Sequence, residues 1–329
     1  MNILVTGGAG YIGSHTVRAL QQAGYTPIIV DNLSRGHVES IPEGVKFYNM
    51  DIADPKLVGI MKEHNILGVM HFAAHSQVGE SMQNPAIYYE NNVVGSYHLI
   101  ESARTAGIKH FVFSSTAAVY GEPKVMPIRE DAQLQPTNVY GRTKLMIEEM
   151  MSDYSSIYGS TYVALRYFNA AGADPSGMIG EDHHPETHLI PLVLDAARGK
   201  REHITVFGTD YDTADGTCVR DYIHVNDLAT AHVLAMDYLR KGGESQVFNL
   251  GSGNGFSVKE IIETAKEVTG IDIPVQYGDR RAGDPGTLIA SSEKIKNLLG
   301  WDPKFSNVAD VIKDAWHWHT SHPDGFSSK

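Results

Sequence analysis

Short apolar runs rich in β-branched residues alternate, through the first half of the chain, with longer stretches of helical period. Asn2-Ile3-Leu4-Val5-Thr6 reads as a buried strand. A glycine loop and a helix over 12–23 follow, with Gly24 placed for a left-handed cap. Further strands are predicted at 26–31, 45–51, 68–72 and 110–114, with helices over 56–64 and 85–106 between them. A strand over 162–167 closes this half. The β-α-β-α order with near-continuous apolar strands predicts an α/β chain built on a doubly wound parallel sheet covered on both faces.

Beyond residue 168 the texture changes. Glycine, proline and acidic residues crowd 170–177, and the elements become short and irregular. The reading is a first domain over 1–168 and a smaller, mixed α/β domain over 169–329 that supplies the other wall of a cleft. The stretch 219–236 carries a helical pattern and is expected to pack back onto the first domain, and Gly325 to Lys329 are expected to fray.

Composition narrows the function classes. Among 329 residues, 27 Lys+Arg stand against 39 Asp+Glu, a formal charge of −12, which argues against binding nucleic acid or a membrane surface. The single Cys218 excludes an internal disulfide. The absence of a long apolar run and of a basic leader makes cytoplasm the expected location.

The chemistry begins at the first loop. Gly7, Gly10 and Gly13 form a G-x-x-G-x-x-G frame between a strand and a helix, the backbone arrangement a pyrophosphate needs. Asp31 ends the next strand, where a carboxylate binds adenosine ribose hydroxyls and repels a 2′-phosphate, so NAD is expected over NADP. Asp51 ends the third strand within reach of the adenine. Together these make the sheet Rossmann-like. Downstream, Tyr140 and Lys144 lie one helical turn apart on one face, a phenol and an ammonium paired as a general base. An ammonium about 4 Å from the phenol supplies roughly 4 kcal/mol at an effective dielectric near 20, about what a three-unit pKa shift requires. The run Phe113-Ser114-Ser115-Thr116 ends a strand with three hydroxyls at the ligand-binding edge of the sheet, and either Ser115 or Thr116 is placed to hydrogen-bond the reacting oxygen.

These motifs, with Phe72-Ala73-Ala74, Val78-Gly79-Glu80-Ser81 and Asn91-Asn92, resemble the extended short-chain dehydrogenase/reductase family. Arg166-Tyr167-Phe168-Asn169, Val219-Arg220-Asp221-Tyr222, Arg280-Arg281-Ala282-Gly283-Asp284 and Trp316-His317-Trp318 narrow the resemblance to its nucleotide-sugar 4-epimerases, over nearly the whole chain. The resemblance implies reversible exchange of UDP-galactose and UDP-glucose through a 4-keto sugar, with NAD held throughout. It assigns NAD to Tyr11, Ile12, Asp31, Asn32, Leu33, Ser34, Arg35, Gly36, Asp51, Ile52, Phe72, Ala73, Ala74, His75, Ser76, Asn91, Tyr140, Lys144 and Phe168. It assigns the UDP-sugar to Thr116, Tyr140, Asn169, His188, Leu189, Thr205, Phe207, Arg220, Tyr222, Arg281 and Asp284. Leu288 stands where bulk decides whether an N-acetyl group fits. Ser76 replaces a lysine common in relatives, and His188 an asparagine. The resemblance also implies a homodimer formed through the helices at 85–106 and 144–157, both of which are apolar on more than one face.

Three other readings remain on the sequence, of which a net oxidoreductase would be exposed by stoichiometric NADH build-up. A nucleotide-sugar dehydratase needs acidic groups just after the catalytic hydroxyl, where this chain has Ala117-Ala118. A silent NAD- or sugar-sensing module would not need Thr116, Tyr140 and Lys144 together. The histidines at 183, 184 and 188, and at 317, 319 and 322, match no ligand spacing with a mechanism, so no metal site is expected.

Overall fold

The computed structural model describes residues 1–281 and 285–326. Its main sheet has seven parallel strands: β1 Asn2–Thr6, β2 Thr26–Asp31, β3 Lys46–Asn49, β4 Ile66–His71, β5 His110–Ser114, β6 Thr161–Tyr167 and β10 Gln246–Leu250. The order is β10-β6-β5-β4-β1-β2-β3. Strand order reverses at β1, between β4 and β2, and in such sheets a crevice opens there at the carboxyl ends.

Alternation along the strands explains why both faces are covered. Ile3, Val5 and Ile29 point into one core, while Leu4, Ile28 and Val30 point into the other. The first face is covered by α1 Tyr11–Gln22 and α8 Val225–Arg240, which contributes Leu228, Ala231 and Met236. The second receives α2 Leu57–Glu63, α5 Gly95–Ala106 and α6 Val139–Tyr158 through Leu57, Leu99, Ile147 and Met151. Each such buried side chain contributes on the order of 1.5–3 kcal/mol of transfer free energy.

The remaining strands form two small sheets. β9 Val219–His224 pairs with β7 Asn169–Ala171, β11 Gly255–Ser257 and β13 Thr287–Leu288, and β8 Ile204–Phe207 pairs with β12 Val275–Gly278. α7 Leu189–Ala197, α9 Val258–Thr269 and α11 Val308–Ser321 enclose a third core around Val193, Ile261 and Ile312. The short helices α3 Val78–Gln83 and α4 Pro85–Tyr88 pack against α6, and α10 Glu293–Leu299 packs beside β10.

Four expectations are corrected. The sheet does not close at residue 167, because β10 pairs outside β6 in register from Gln246↔Val163 to Leu250↔Tyr167. The helical pattern at 219–236 is split: Val219–His224 is a strand, and the helix starts at Val225, where the His224 ring accepts from the Asn226 amide at 3.1 Å. The helix at 85–106 is interrupted by a π-helical stretch, Tyr89–Val94, whose wider turn carries the fully buried Asn92. Phe326 is tied down rather than frayed. Its amide donates to Asp182 at 2.9 Å and its ring lies against His37 and Trp318, whereas residues 327–329 lie outside the described residues.

Among the described residues no helix is long and apolar enough to cross a membrane.

Candidate active site

The glycine frame follows from close packing. Gly7 has φ +73°, and a Cβ there would meet the Ala73 amide at 2.6 Å. One on Gly13 would lie 2.1 Å from the Gly7 carbonyl oxygen. These two glycines let the turn close on itself and on the end of β4. Gly10 differs: its Cβ would meet only the Gly7 oxygen, at 3.4 Å. Gly10 is also the N-cap of α1, with no side-chain cap and no acid in the first turn. The helix N-terminus therefore presents amides and a positive dipole to an anion.

Around this turn a cleft is lined by Gly7, Gly10, Asp31, Asn32, Ser34, Arg35, Gly36, Asp51, Ile52, Phe72, Ala73, Ala74, His75 and Asn91, all predicted, and by Met50, which was not. Buried Asp31 accepts from the amides of Ala9 at 3.0 Å and Leu33 at 2.8 Å, and so braces the loop it serves. Leu33 takes φ +57° at this bend. Asn32 donates to Asp51 at 3.0 Å, and Arg35 Nη2 donates to both Glu80 carboxylate oxygens, at 2.9 and 3.2 Å. A dinucleotide fits these residues: a cradle emptied of side chains, an unblocked helix end and a carboxylate at the ribose position. Tyr11 turns its hydroxyl to the Gly172 carbonyl at 2.6 Å, and exposed Ser76 lies in the loop before α3.

The Tyr140–Lys144 pair is set by α6. Asn138 caps this helix by accepting from the Gly141 amide at 2.8 Å. A Cβ on Gly141 would sit 2.6 Å from the Ala118 carbonyl, so glycine permits the helix to touch the turn that holds Thr116. The buried Ser81 hydroxyl accepts from the Tyr140 amide at 3.2 Å. Burial pushes the Tyr140 phenol up to about 12, opposed by a hydrogen bond with Thr116. Lys144, 3% exposed, donates to the Ser114 carbonyl at 2.9 Å, with its ammonium 5.9 Å from the centre of the Tyr140 ring. Burial lowers Lys144 to about 7, opposed by the Glu148 charge. Desolvation therefore dominates at both groups and keeps the phenol protonated in the cofactor-free protein.

The two hydroxyls read as equivalent part company. Thr116 accepts from the Ala118 amide at 3.1 Å and meets Tyr140, whereas Ser115 turns away and donates to Glu148. Glu148 holds Arg166, with Nε at 3.0 Å, and Arg166 donates to Tyr120 at 2.9 Å, which in turn donates to Asn249 at 2.7 Å. Sequence reasoning missed this network, though Tyr140, Lys144 and Glu148 repeat every four residues along one face. It also missed Asn92, which bonds both backbone groups of His75 at 2.9 and 3.0 Å and the Thr143 hydroxyl at 3.1 Å, fastening the cofactor loop to α6. Behind Lys144, buried His71 bridges Thr6 at 2.7 Å and Ser96 at 2.8 Å. Burial and then the Lys144 charge push His71 down to about 3, so the ring is neutral.

Lysine burial gives a test. A lysine at about 7 when folded and 10.5 when unfolded binds fewer protons folded, so its cost to stability is full below pH 7 and fades toward pH 10.5. Lys144→Met in the cofactor-free protein is therefore expected to raise Tm most near pH 6–7, with the gain shrinking by pH 10. A Tm difference independent of pH contradicts the assignment.

The predicted sugar residues fall into two groups. Asn169 faces Tyr222 and donates to the Asp221 carbonyl at 3.1 Å, and Leu288 opposes Arg220 on β9. Leu288 and Phe168 pack with Ala117 and Tyr120 on the turn after Thr116, joining this group to the catalytic one. The second group has Thr205 and Phe207 on β8, with the Arg281 guanidinium 4.0 Å above the Phe207 ring. His188 occupies the N-cap position of α7 just before Leu189, and the Glu181 carboxylate raises its ring to about 9. Asp284 lies outside the described residues. The histidine cluster read as without ligand spacing converges: Glu181, His183, Glu186 and His188 bring one ligand atom each to within 4.8 Å of one another.

Comparison with known proteins identifies the family. The model of the NAD dependent epimerase/dehydratase family matches residues 3–251. The chain is 55% identical to the UDP-glucose 4-epimerase of Halalkalibacterium halodurans, over all of this chain and 98% of that one. A crystal structure of a UDP-glucose 4-epimerase superposes with a TM-score of 0.98 at 53% identity, covering 100% of both chains. The Brucella ovis enzyme in complex with NAD does so with a TM-score of 0.94 at 47% identity, covering 96% of this chain and 98% of that one. The chain belongs to the NAD dependent epimerase/dehydratase family, among its UDP-glucose 4-epimerases.

Proposed function

We infer that this chain interconverts UDP-galactose and UDP-glucose at C4 through a 4-keto sugar, retaining its NAD from one turnover to the next. The observation that carries the reading is the meeting of Thr116, Tyr140 and Lys144 beside a glycine cradle. When bound, NAD supplies the hydride acceptor and donor and a positive charge beside the phenol. Thr116 orients the sugar 4-hydroxyl. Tyr140 takes its proton and later returns one, and the charge on Lys144 stabilises the phenolate. Ala117 and Ala118 offer no second acid or base, which disfavours loss of water from the 4-keto sugar. Arg220 and Arg281 are the cations proposed for the diphosphate, and Leu288 the residue that limits the substituent at C2.

The two hydroxyls separate the mechanism from mere packing. Thr116→Ala is expected to lower kcat about 10²-fold with little change in Tm. Ser115→Ala removes a buried donor to Glu148 and is expected to cost about 1–3 kcal/mol of stability with a smaller effect on kcat. The reverse pattern overturns the roles assigned. A companion assay follows absorbance at 340 nm during turnover without added NAD: no net NADH accumulates from an epimerase, whereas stoichiometric build-up identifies a dehydrogenase.

We further propose a homodimer through α5 and α6 and a cytoplasmic location. The first is supported by Val94, Tyr97, Ile157 and Tyr158, large apolar side chains left 40–70% exposed on or beside these neighbouring helices. The second is supported by the acidic composition and the lone, buried cysteine.

A further inference from the structure

The loop before α7 is held from several sides. Buried Trp318 donates to the Glu181 carbonyl at 3.1 Å. The Asp182 carbonyl meets the His37 ring at 3.1 Å, Arg35 donates to the His184 carbonyl at 3.1 Å, and Gln77 to that of Pro185 at 3.1 Å. Within this scaffold four side chains converge. His183 Nδ1 lies 3.1 Å from Glu181 Oε1 and 3.9 Å from Glu186 Oε2. His188 Nδ1 bonds the same Glu181 oxygen and lies 3.8 Å from Glu186 Oε1. The Glu186 carboxylate is itself fixed, accepting from the amides of Thr187 at 2.6 Å and His188 at 2.8 Å.

We propose that Glu181, His183, Glu186 and His188 form a binding site for one divalent transition-metal ion, Zn²⁺ being the best match. Tetrahedral Zn²⁺ with N and O ligands near 2.0–2.1 Å needs ligand atoms roughly 3.3–3.5 Å apart. The observed separations bracket this, and all four atoms fall within 4.8 Å of one another. The two imidazoles are borderline donors that favour Zn²⁺, which also accepts carboxylate oxygens, over Ca²⁺ or Mg²⁺, which prefer all-oxygen shells. The charge argument agrees. The Glu181 and Glu186 side chains are only 3% and 14% exposed, and a dication would take over from the two imidazoles as their counter-charge. The His188 side chain is 46% exposed, which leaves an entry path. The site is distinct from the reacting groups, but His188 stands at the N-cap position of α7 and the His183 ring packs edge-on against Tyr11 of the glycine turn. The ion would lock the loop joining the cofactor turn to the proposed sugar site.

The test uses full-length protein stripped with a chelator, given Zn²⁺, desalted and measured for metal by mass spectrometry, with Kd from titration against a zinc-buffering chelator. Wild type is expected to retain one Zn²⁺ per chain and to gain Tm on binding. His183→Ala and Glu186→Gln are expected to weaken binding by more than the roughly 10–100-fold that losing an outer-shell partner costs. Their NAD content reports that they remain folded. No retained Zn²⁺ in the wild type overturns the site. So does equal retention by the variants, which places the metal elsewhere, as at His317, His319 and His322.

Discussion

Tyr140→Phe is expected to lower kcat by about 10²–10⁴-fold, the range of a positioned acid/base group. The ring contributes packing beside the Lys144 ammonium, which phenylalanine preserves; only the hydroxyl that meets Thr116 is lost. NAD content and the Kd for UDP-sugar are therefore expected to stay within a few-fold of wild type. The cradle at Gly7, Gly10 and Gly13 and the cations at Arg220 and Arg281 are untouched. Steady-state kinetics with NAD extraction and calorimetry of UDP binding checks this. Turnover within about tenfold of wild type contradicts the role of Tyr140, whereas loss of NAD makes the residue structural.

Gly13→Ala is expected to strip the protein of NAD and to lower Tm. The added methyl would stand 2.1 Å from the Gly7 carbonyl and 2.9 Å from Gly8 Cα, both backbone atoms of the turn, so the turn must open. Overpacking of this kind costs about 1–3 kcal/mol or more, and here it also displaces the helix end that meets the pyrophosphate. Gly10→Ala is the control. Its methyl would touch protein only at 3.4 Å, so Tm of the NAD-free protein is expected to stay near wild type while NAD affinity falls. Purification of Gly13→Ala with one NAD per chain, or an equal loss of Tm in both variants, contradicts this division of labour.

Much of the fold was legible because the signals are local. Buried parallel strands write themselves as apolar runs, and the glycine frame, Asp31 and the Tyr140–Lys144 spacing each have a short-range backbone cause. Legibility failed where distant packing decided the outcome. Gln246–Leu250 becomes a sheet strand only through its register with Val163 to Tyr167. The aromatic and β-branched Val219–His224 belongs to β9, though its pattern runs straight into the helix that follows. Ser115 and Thr116 cannot be told apart until the buried Glu148–Arg166 pair claims the serine. The convergence of Glu181, His183, Glu186 and His188 was not legible because its spacing matches no helix rule. It forms on a loop pinned by Trp318, Arg35 and His37, which are far away in sequence.

The most direct test is proton NMR of UDP-galactose, and separately of UDP-glucose, incubated with the purified protein and no added NAD. The account predicts that each sugar nucleotide converts to the other and that both incubations settle at one ratio. No conversion from either side, with NAD bound to the protein, would contradict it.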